Sequence, residues 1–100
     1  MVMRDLNIGT KVGLALLTDK WNALTLSNLT TTPAGFMVLR ENVRGISTLK
    51  LLTVLAKLTQ LDLVVSTDDY QYSLTPAGQQ FQQSLATLET WGNQVITEMQ

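Results

Sequence analysis

The sequence contains 100 residues, of which 45% are hydrophobic and 15% charged, with no cysteine and no histidine. This length predicts one domain with its own core, since domains usually contain about 100 to 150 residues. The absence of cysteine excludes disulfides, zinc–thiolate sites and thiol chemistry within these residues, and the absence of histidine removes the commonest general base near neutral pH. We therefore predict a protein that is not an enzyme and that needs no cofactor or metal.

The charged residues are distributed unevenly along the chain. All seven basic residues and three acids lie in residues 1–57, whereas residues 58–100 carry five acids and no base, so the two parts sum to +4 and −5. An anionic partner is therefore expected to contact the middle of the chain. Residues 1–7 lack a secretion-signal pattern, and no run of about 18 apolar residues is present, which favours a cytoplasmic protein without a membrane span.

The first part of the chain predicts helices separated by clear breaks. An apolar stretch at residues 13–17 stops at Thr18-Asp19, either of which can cap a helix from Lys20 to Leu29. The residues of that helix expected to face inward are Trp21, Leu24 and Leu29. Residues 30–33 interrupt the chain, because a threonine run that ends in proline resists helix continuation. A short helix with Phe36, Val38 and Leu39 follows and ends at residues 42–45.

Ser47 is a suitable N-cap for the next predicted helix, which runs to Leu61 without glycine or proline. At about 100° per residue, its core face consists of Leu51, Val54, Leu55, Leu58 and Leu61. Beside this face lies a narrow polar stripe of Lys50, Thr53, Lys57 and Gln60. The remaining sector is largely apolar, which is unusual for a surface helix; it contains Thr48, Leu49, Leu52, Ala56 and Thr59.

The last third of the chain predicts a hairpin followed by a long helix. Residues 63–67 and 70–74 are strand-like and are separated by Asp68-Asp69, which we interpret as a turn rather than as a metal site. Thr75-Pro76 gives an N-cap and a proline at the first helical position. The apolar residues of the following helix recur in steps of about 3.5, which suits packing along another helix. They are Phe81, Leu85, Leu88, Val95 and Met99, with Trp91 alongside.

These elements and several short motifs resemble the HxlR family of bacterial transcriptional regulators, within the MarR-like winged-helix group. The matching residues span about 20 to 92 and are Lys20-Trp21, Phe36, Leu39, Gly45-Ile46-Ser47, Leu63-Val64, Tyr72-Ser73-Leu74-Thr75, Gly78 and Trp91-Gly92. The resemblance implies a mainly α fold with a small two-stranded β-hairpin wing, a winged helix-turn-helix of the α+β class. Residues 1–100 would form a single winged-helix domain, with the helix-turn-helix at about 33–61, the wing at about 63–74 and a dimerisation helix at about 76–98.

The resemblance also implies a homodimer that binds double-stranded DNA at a pseudo-palindromic operator, with one recognition helix in each major groove. The DNA-binding residues would be Arg40, Arg44, Ser47, Thr48, Leu49, Lys50, Leu52, Thr53 and Lys57. The dimer contacts would come from Phe81, Leu85, Leu88, Trp91 and Val95. The competing interpretation of the last helix is that it packs within its own chain, onto the first helix.

Three features depart from the family pattern. The family usually has long polar side chains that contact bases at the positions of Leu49, Leu52 and Ala56. These three apolar residues can contact only the methyl groups of thymine. The wing is short, lacks the usual arginine and carries Asp68-Asp69 at its tip. The family's cysteine-based sensing does not carry over to a chain without cysteine. The alternative function is therefore a protein–protein interaction module that uses Leu49, Leu52 and Ala56 as its contact surface.

Overall fold

The computed structural model describes residues 8–99, and the sequence-based statement about residues 1–7 lies outside this range. Within these residues, five helices and three short strands follow one another. They are α1 (Ile8–Thr18), α2 (Lys20–Ser27), β1 (Ala34–Gly35), α3 (Phe36–Asn42), α4 (Thr48–Gln60), β2 (Val64–Ser66), β3 (Gln71–Leu74) and α5 (Pro76–Glu98). None of the helices in the described range is long and apolar enough to cross a membrane.

The predicted helix starts are confirmed by their caps. The carboxylate of Asp19 accepts a hydrogen bond from the Trp21 backbone N–H at 3.0 Å, and the Ser47 hydroxyl accepts one from Lys50 N–H at 3.0 Å. The Thr75 hydroxyl caps α5 in the same way, with Pro76 at the first turn. Each cap satisfies an N–H group that has no partner within its own helix.

The predicted two-stranded wing is confirmed as the hairpin of β2 and β3, and β1 joins it to form a three-stranded antiparallel sheet in the order β1-β3-β2. On one side of β3, Val64 pairs with Leu74 and Ser66 with Tyr72. On its other side, Tyr72 pairs with Ala34 of β1. With only two residues, β1 is too short for the alternating pattern by which strands are recognised in a sequence. It forms because the chain between α2 and α3 lies along an edge that would otherwise expose unpaired backbone groups.

The core lies between α2, α4, the sheet and the first half of α5. Its fully or nearly fully buried members include Leu26, Leu29, Leu39, Leu51, Val54, Leu55, Leu58 and Val64. The predicted core face of α4 is confirmed except at Leu61, which is 38% exposed because it follows the last helical residue. There the chain turns through Asp62, whose φ is +62°, and buries Leu63 instead.

The inward face predicted for α2 is wrong at Leu24, which is 43% exposed. The helix instead buries Asn22, Thr25 and Leu26. Asn22 is accommodated there because its Nδ2 donates to the Leu16 carbonyl at the end of α1, at 3.2 Å. A buried amide with a hydrogen-bond partner costs little, so a polar residue can occupy a core position that hydropathy assigns to the surface.

Candidate nucleic-acid interface

The turn between α3 and α4 is short and held by buried residues on both sides. Val43 and Ile46 are buried, and the Ile46 N–H donates to the Val43 carbonyl at 3.3 Å. Between them Gly45 has a φ of +85°, a conformation that L side chains rarely adopt. A Cβ at this position would lie 3.7 Å from the Trp21 ring, so the turn packs against α2. The two helices are thereby fixed as a helix-turn-helix.

The solvent-facing side of α4 has an apolar centre and a basic edge. At about 100° per residue, Leu49 and Ala56 lie near the middle of the exposed sector, together with Thr53 and Gln60. Lys50 and Lys57 lie at one edge of this sector, and Leu52 lies at the other. Leu49 is 75% exposed and Leu52 46%. At the centre of the face, Leu49 and Ala56 therefore offer no hydrogen-bonding side-chain group, and Thr53 and Gln60 supply the polar ones.

The polar groups near the start of α4 are partly committed to the helix itself. The Ser47 hydroxyl caps the helix, and the Thr53 hydroxyl donates to the Leu49 carbonyl at 2.9 Å. Thr48, the first residue of α4, is exposed. Unpaired backbone N–H groups in this first turn favour an anion such as phosphate.

Lys50 forms an ion pair with Asp19 that the sequence does not indicate. Its Nζ lies 2.7 Å from Oδ2 of Asp19, the residue that caps α2, and the two side chains are 37% and 34% exposed. The sequence predicts Asp19 only as a possible helix cap. No sequence signal connects residues 31 positions apart; the pair depends on how α2 crosses α4.

The ion pair lowers the pKa of Asp19 below its ordinary value of 3.8. The hydrogen bond from Lys50 is the largest cause, and the bond from the Trp21 N–H is the second. A carboxyl whose folded pKa is depressed contributes stability above its unfolded pKa. That contribution is lost as the pH falls below 3.8 through the folded value. At neutral pH Asp19 is therefore charged and neutralises Lys50.

Three other predicted phosphate-contacting residues have no carboxylate partner within the described range. Arg40 in the last turn of α3, Arg44 in the turn and Lys57 in the last turn of α4 are all exposed. Exposed cations without partners remain available to an incoming anion. They lie on the two helices of the helix-turn-helix and on the turn that joins them.

An apolar groove continues from Leu52 between α3, α4 and the wing. It encloses about 450 Å³ and is lined mainly by Phe36, Met37, Val38, Leu52 and Tyr70. Met37, Val38 and Tyr70 are at least half exposed, and the sequence predicts no site role for Met37 or Val38. In the sequence, these residues are recognisable only by their apolar character, and the structure leaves them outside the core.

The wing tip is acidic and tightly turned. Asp68 and Asp69 are exposed, and the Thr67 hydroxyl donates to Asp69 Oδ1 at 2.9 Å. Tyr70 follows with a φ of +58° and is 72% exposed. Because phosphates would be repelled by the two carboxylates, the tip is a poor backbone contact for DNA.

Helix α5 divides into a packed half and an exposed half. Phe81 and Leu85, both predicted at the dimer seam, are half-buried against the core of their own chain. Leu88, Trp91, Ile96 and Met99 are 52%, 63%, 57% and 81% exposed, with Val95 half-buried beside them. Within residues 8–99, it is the second half of the helix that leaves a large apolar face without a partner.

Residues 16–100 match the model of the HxlR-like helix-turn-helix family, whereas no curated relative matches. The structure resembles quinone-bound YodB from B. subtilis, with 26% identity over 89% of this chain and 99% of the other and a TM-score of 0.82. It also resembles a possible HxlR family transcriptional factor from Thermoplasma volcanium GSS1, with 26% identity, coverages of 92% and 87% and a TM-score of 0.72.

A MarR family regulator from Enterococcus faecalis V583 shares the fold at 20% identity, with coverages of 99% and 97% and a TM-score of 0.79. The predicted winged-helix architecture is therefore confirmed. The helix-turn-helix of α3 and α4, the wing and the long α5 occur together in the arrangement of transcriptional regulators. Since the family model covers most of its length, the chain belongs to the HxlR-like helix-turn-helix family.

Proposed function

We propose that this chain is a cytoplasmic, homodimeric transcriptional regulator that binds a pseudo-palindromic DNA operator and has no catalytic activity. The observation that carries the proposal is the set of exposed, unpaired cations on the helix-turn-helix. Arg40 lies on α3, Arg44 in the turn and Lys57 on α4, and each is free of a carboxylate partner in residues 8–99. In a helix-turn-helix, this is where the phosphates on either side of the major groove pass.

The proposed base contacts are apolar. Leu49 and Leu52 would meet thymine methyl groups, because neither can form the paired hydrogen bonds that arginine, asparagine or glutamine make with a base edge. Sequence discrimination would then be modest and biased towards A·T pairs. The phosphate contacts would supply most of the affinity.

The proposed dimer uses the second half of α5. Leu88, Trp91 and Met99 form an apolar face that is solvent-exposed in a single chain. Such a face on a long terminal helix is typical of a self-complementary interface, in which the same residues of two copies meet. A dimer would present two copies of α4 to consecutive half-sites.

A salt titration tests the proposal. A fluorescein-labelled duplex from upstream of the protein's own gene, and a random duplex of equal length, are titrated by anisotropy between about 50 and 200 mM salt. If three cations per half-site, or six per dimer, contact phosphates, the logarithm of the association constant should fall with the logarithm of salt concentration with a slope of roughly −5. No binding to either duplex at about 50 mM salt would refute the proposal.

The second candidate is a protein-binding module, favoured by the exposure of Leu49 and by the apolar groove that continues from Leu52. An apolar protein interface would respond little to salt, whereas phosphate contacts must weaken steeply. Recovery of a partner that is lost on Leu49→Ala, without DNA binding by the wild type, would favour this candidate over the first.

A further inference from the structure

Asp19 uses its two carboxylate oxygens for different purposes. Oδ1 accepts the Trp21 N–H at 3.0 Å and so caps α2, whereas Oδ2 accepts from Lys50 Nζ at 2.7 Å. The first contact is needed for the helix start. The second is unnecessary for capping, and it joins the cap of one helix to a cation on another.

The second contact lies beside the proposed DNA surface. Lys50 shares one edge of α4 with Lys57, one heptad further along the helix. The side chains of Lys50 and Asp19 remain about one-third exposed, so an anion in solvent can reach them. Lys57 also acts on the Asp19 carboxylate through its charge. The negative charge of Asp19 therefore offsets part of the positive charge that both lysines present on this edge.

We propose that Asp19 is an intramolecular competitor of DNA phosphate, which holds Lys50 in an ion pair and so weakens the binding of any duplex. This inference rests on the proposed function. A phosphate that approaches Lys50 must displace a carboxylate already 2.7 Å from its ammonium group, or share the cation with it. The wild-type protein thus neutralises phosphate with three cations per half-site rather than four.

The test is Asp19→Asn, which separates the two roles of the residue. Asparagine caps helices as well as aspartate does, so the start of α2 is retained. The amide carries no charge and releases Lys50. We expect the affinity for random duplex to rise roughly two- to fivefold per half-site, the range measured for exposed ion pairs. The salt slope of a dimer should steepen from roughly −5 to roughly −7, because two further cations contact phosphate.

Three companion variants identify the cause of any change. Asp62→Asn makes the same change of formal charge at an exposed residue beyond the end of α4, and it should leave the slope unchanged. Lys50→Met leaves Asp19 charged and unpaired, and it should weaken binding. Asp19→Asn/Lys50→Met removes both charges, and it should return the affinity close to wild type if the gain depends on Lys50. Thermal melts of each variant confirm that the fold is retained.

The outcomes separate this inference from the proposed function. Tighter binding and a steeper slope for Asp19→Asn than for the wild type, without the same change in Asp62→Asn, support the inference. Equal affinity and slope for the wild type and Asp19→Asn, with both bound, would overturn the inference and leave the proposed function standing. An equal gain in Asp62→Asn would also overturn it, as would binding by Asp19→Asn/Lys50→Met that remains as tight as that of Asp19→Asn, since net charge would then explain the effect. Failure of both proteins to bind would overturn both proposals.

Discussion

The carbonyl oxygen of Leu63 occupies the space that a side chain at Gly78 would need. A Cβ built on Gly78 overlaps this oxygen and approaches Leu74 Cδ2 to 3.1 Å. The same oxygen accepts the Thr75 N–H at 3.1 Å, so it cannot move without losing that bond. The close approach fixes the start of α5 against the beginning of β2.

We expect Gly78→Ala to lower the free energy of unfolding by about 3 kcal/mol, because the backbone must shift to admit a methyl group. Gly13→Ala is the matched control. No atom lies within 4 Å of a Cβ at that position, and alanine favours a helix over glycine by about 1 kcal/mol. Urea denaturation measures both changes. A Gly78→Ala variant as stable as the wild type would contradict the geometry described here.

Asp62→Gly is expected to stabilise the protein. Asp62 ends α4 with a φ of +62°, where glycine has no steric penalty. The gain should be about 1 kcal/mol, reduced by the greater freedom of glycine in the unfolded chain. Thermal denaturation at neutral pH checks it, with Asp62→Ala expected to destabilise instead.

Leu88→Glu and Trp91→Glu are expected to convert the proposed dimer to monomers, because a carboxylate would be buried in an apolar interface. Both residues are more than half exposed in the single chain, so its fold should survive. Leu85 is a poorer probe, since it packs on its own core. Analytical ultracentrifugation at micromolar concentration provides the measurement. Thr90→Glu, on the opposite side of α5, should remain dimeric, and a monomeric wild type would rule out the interface.

Arg44→Ala should weaken binding to operator and random DNA by the same factor, since phosphate contacts carry no sequence information. Loss of one cation per half-site should flatten the salt slope of a dimer by about 1.8. Arg44→Lys keeps the charge and should keep the slope. Anisotropy titrations at three salt concentrations distinguish the variants. An unchanged slope in Arg44→Ala would remove Arg44 from the interface.

Leu49→Ala tests the thymine contact. Leu49 is 75% exposed, so its truncation should leave stability unchanged. Operator affinity should fall by about 1 kcal/mol for each half-site with an A·T pair at the contact, while random-sequence binding stays nearly constant. Leu61→Ala removes a similar apolar side chain outside the face and should affect neither. Equal losses on both DNAs would show that Leu49 does not read bases.

The order and ends of the elements were largely predictable, because caps and breaks are local. Ser47, Thr75 and Pro76 each act within one helical turn, so the sequence nearby is sufficient. The exposure of Leu24 and the presence of β1 were not predicted, for a different reason. The inward face of α2 depends on a hydrogen bond from Asn22 to α1, and β1 depends on an edge of β3 that follows much later in the chain.

In the candidate site, too, some features follow from the local sequence and others depend on tertiary packing. Exposure of Leu49 and Arg44 follows from the helical period and the position of the turn. The pairing of Lys50 does not, since a lysine in a polar stripe looks the same whether or not a carboxylate from another helix reaches it. Which cations remain free is a property of tertiary packing, and it decides the charge that the surface offers to DNA.

Gln82 on α5 donates through Nε2 to the carbonyls of both Leu26 and Leu29, each at 2.8 Å. These carbonyls lie at and just beyond the end of α2, and that of Leu26 also accepts the Leu29 N–H at 3.2 Å. A side chain from the proposed dimer helix thus completes the helix that packs on α4. Tilting of α5 in a dimer would carry α2 and α4 with it, so the angle between the two copies of α5 would set the distance between half-sites.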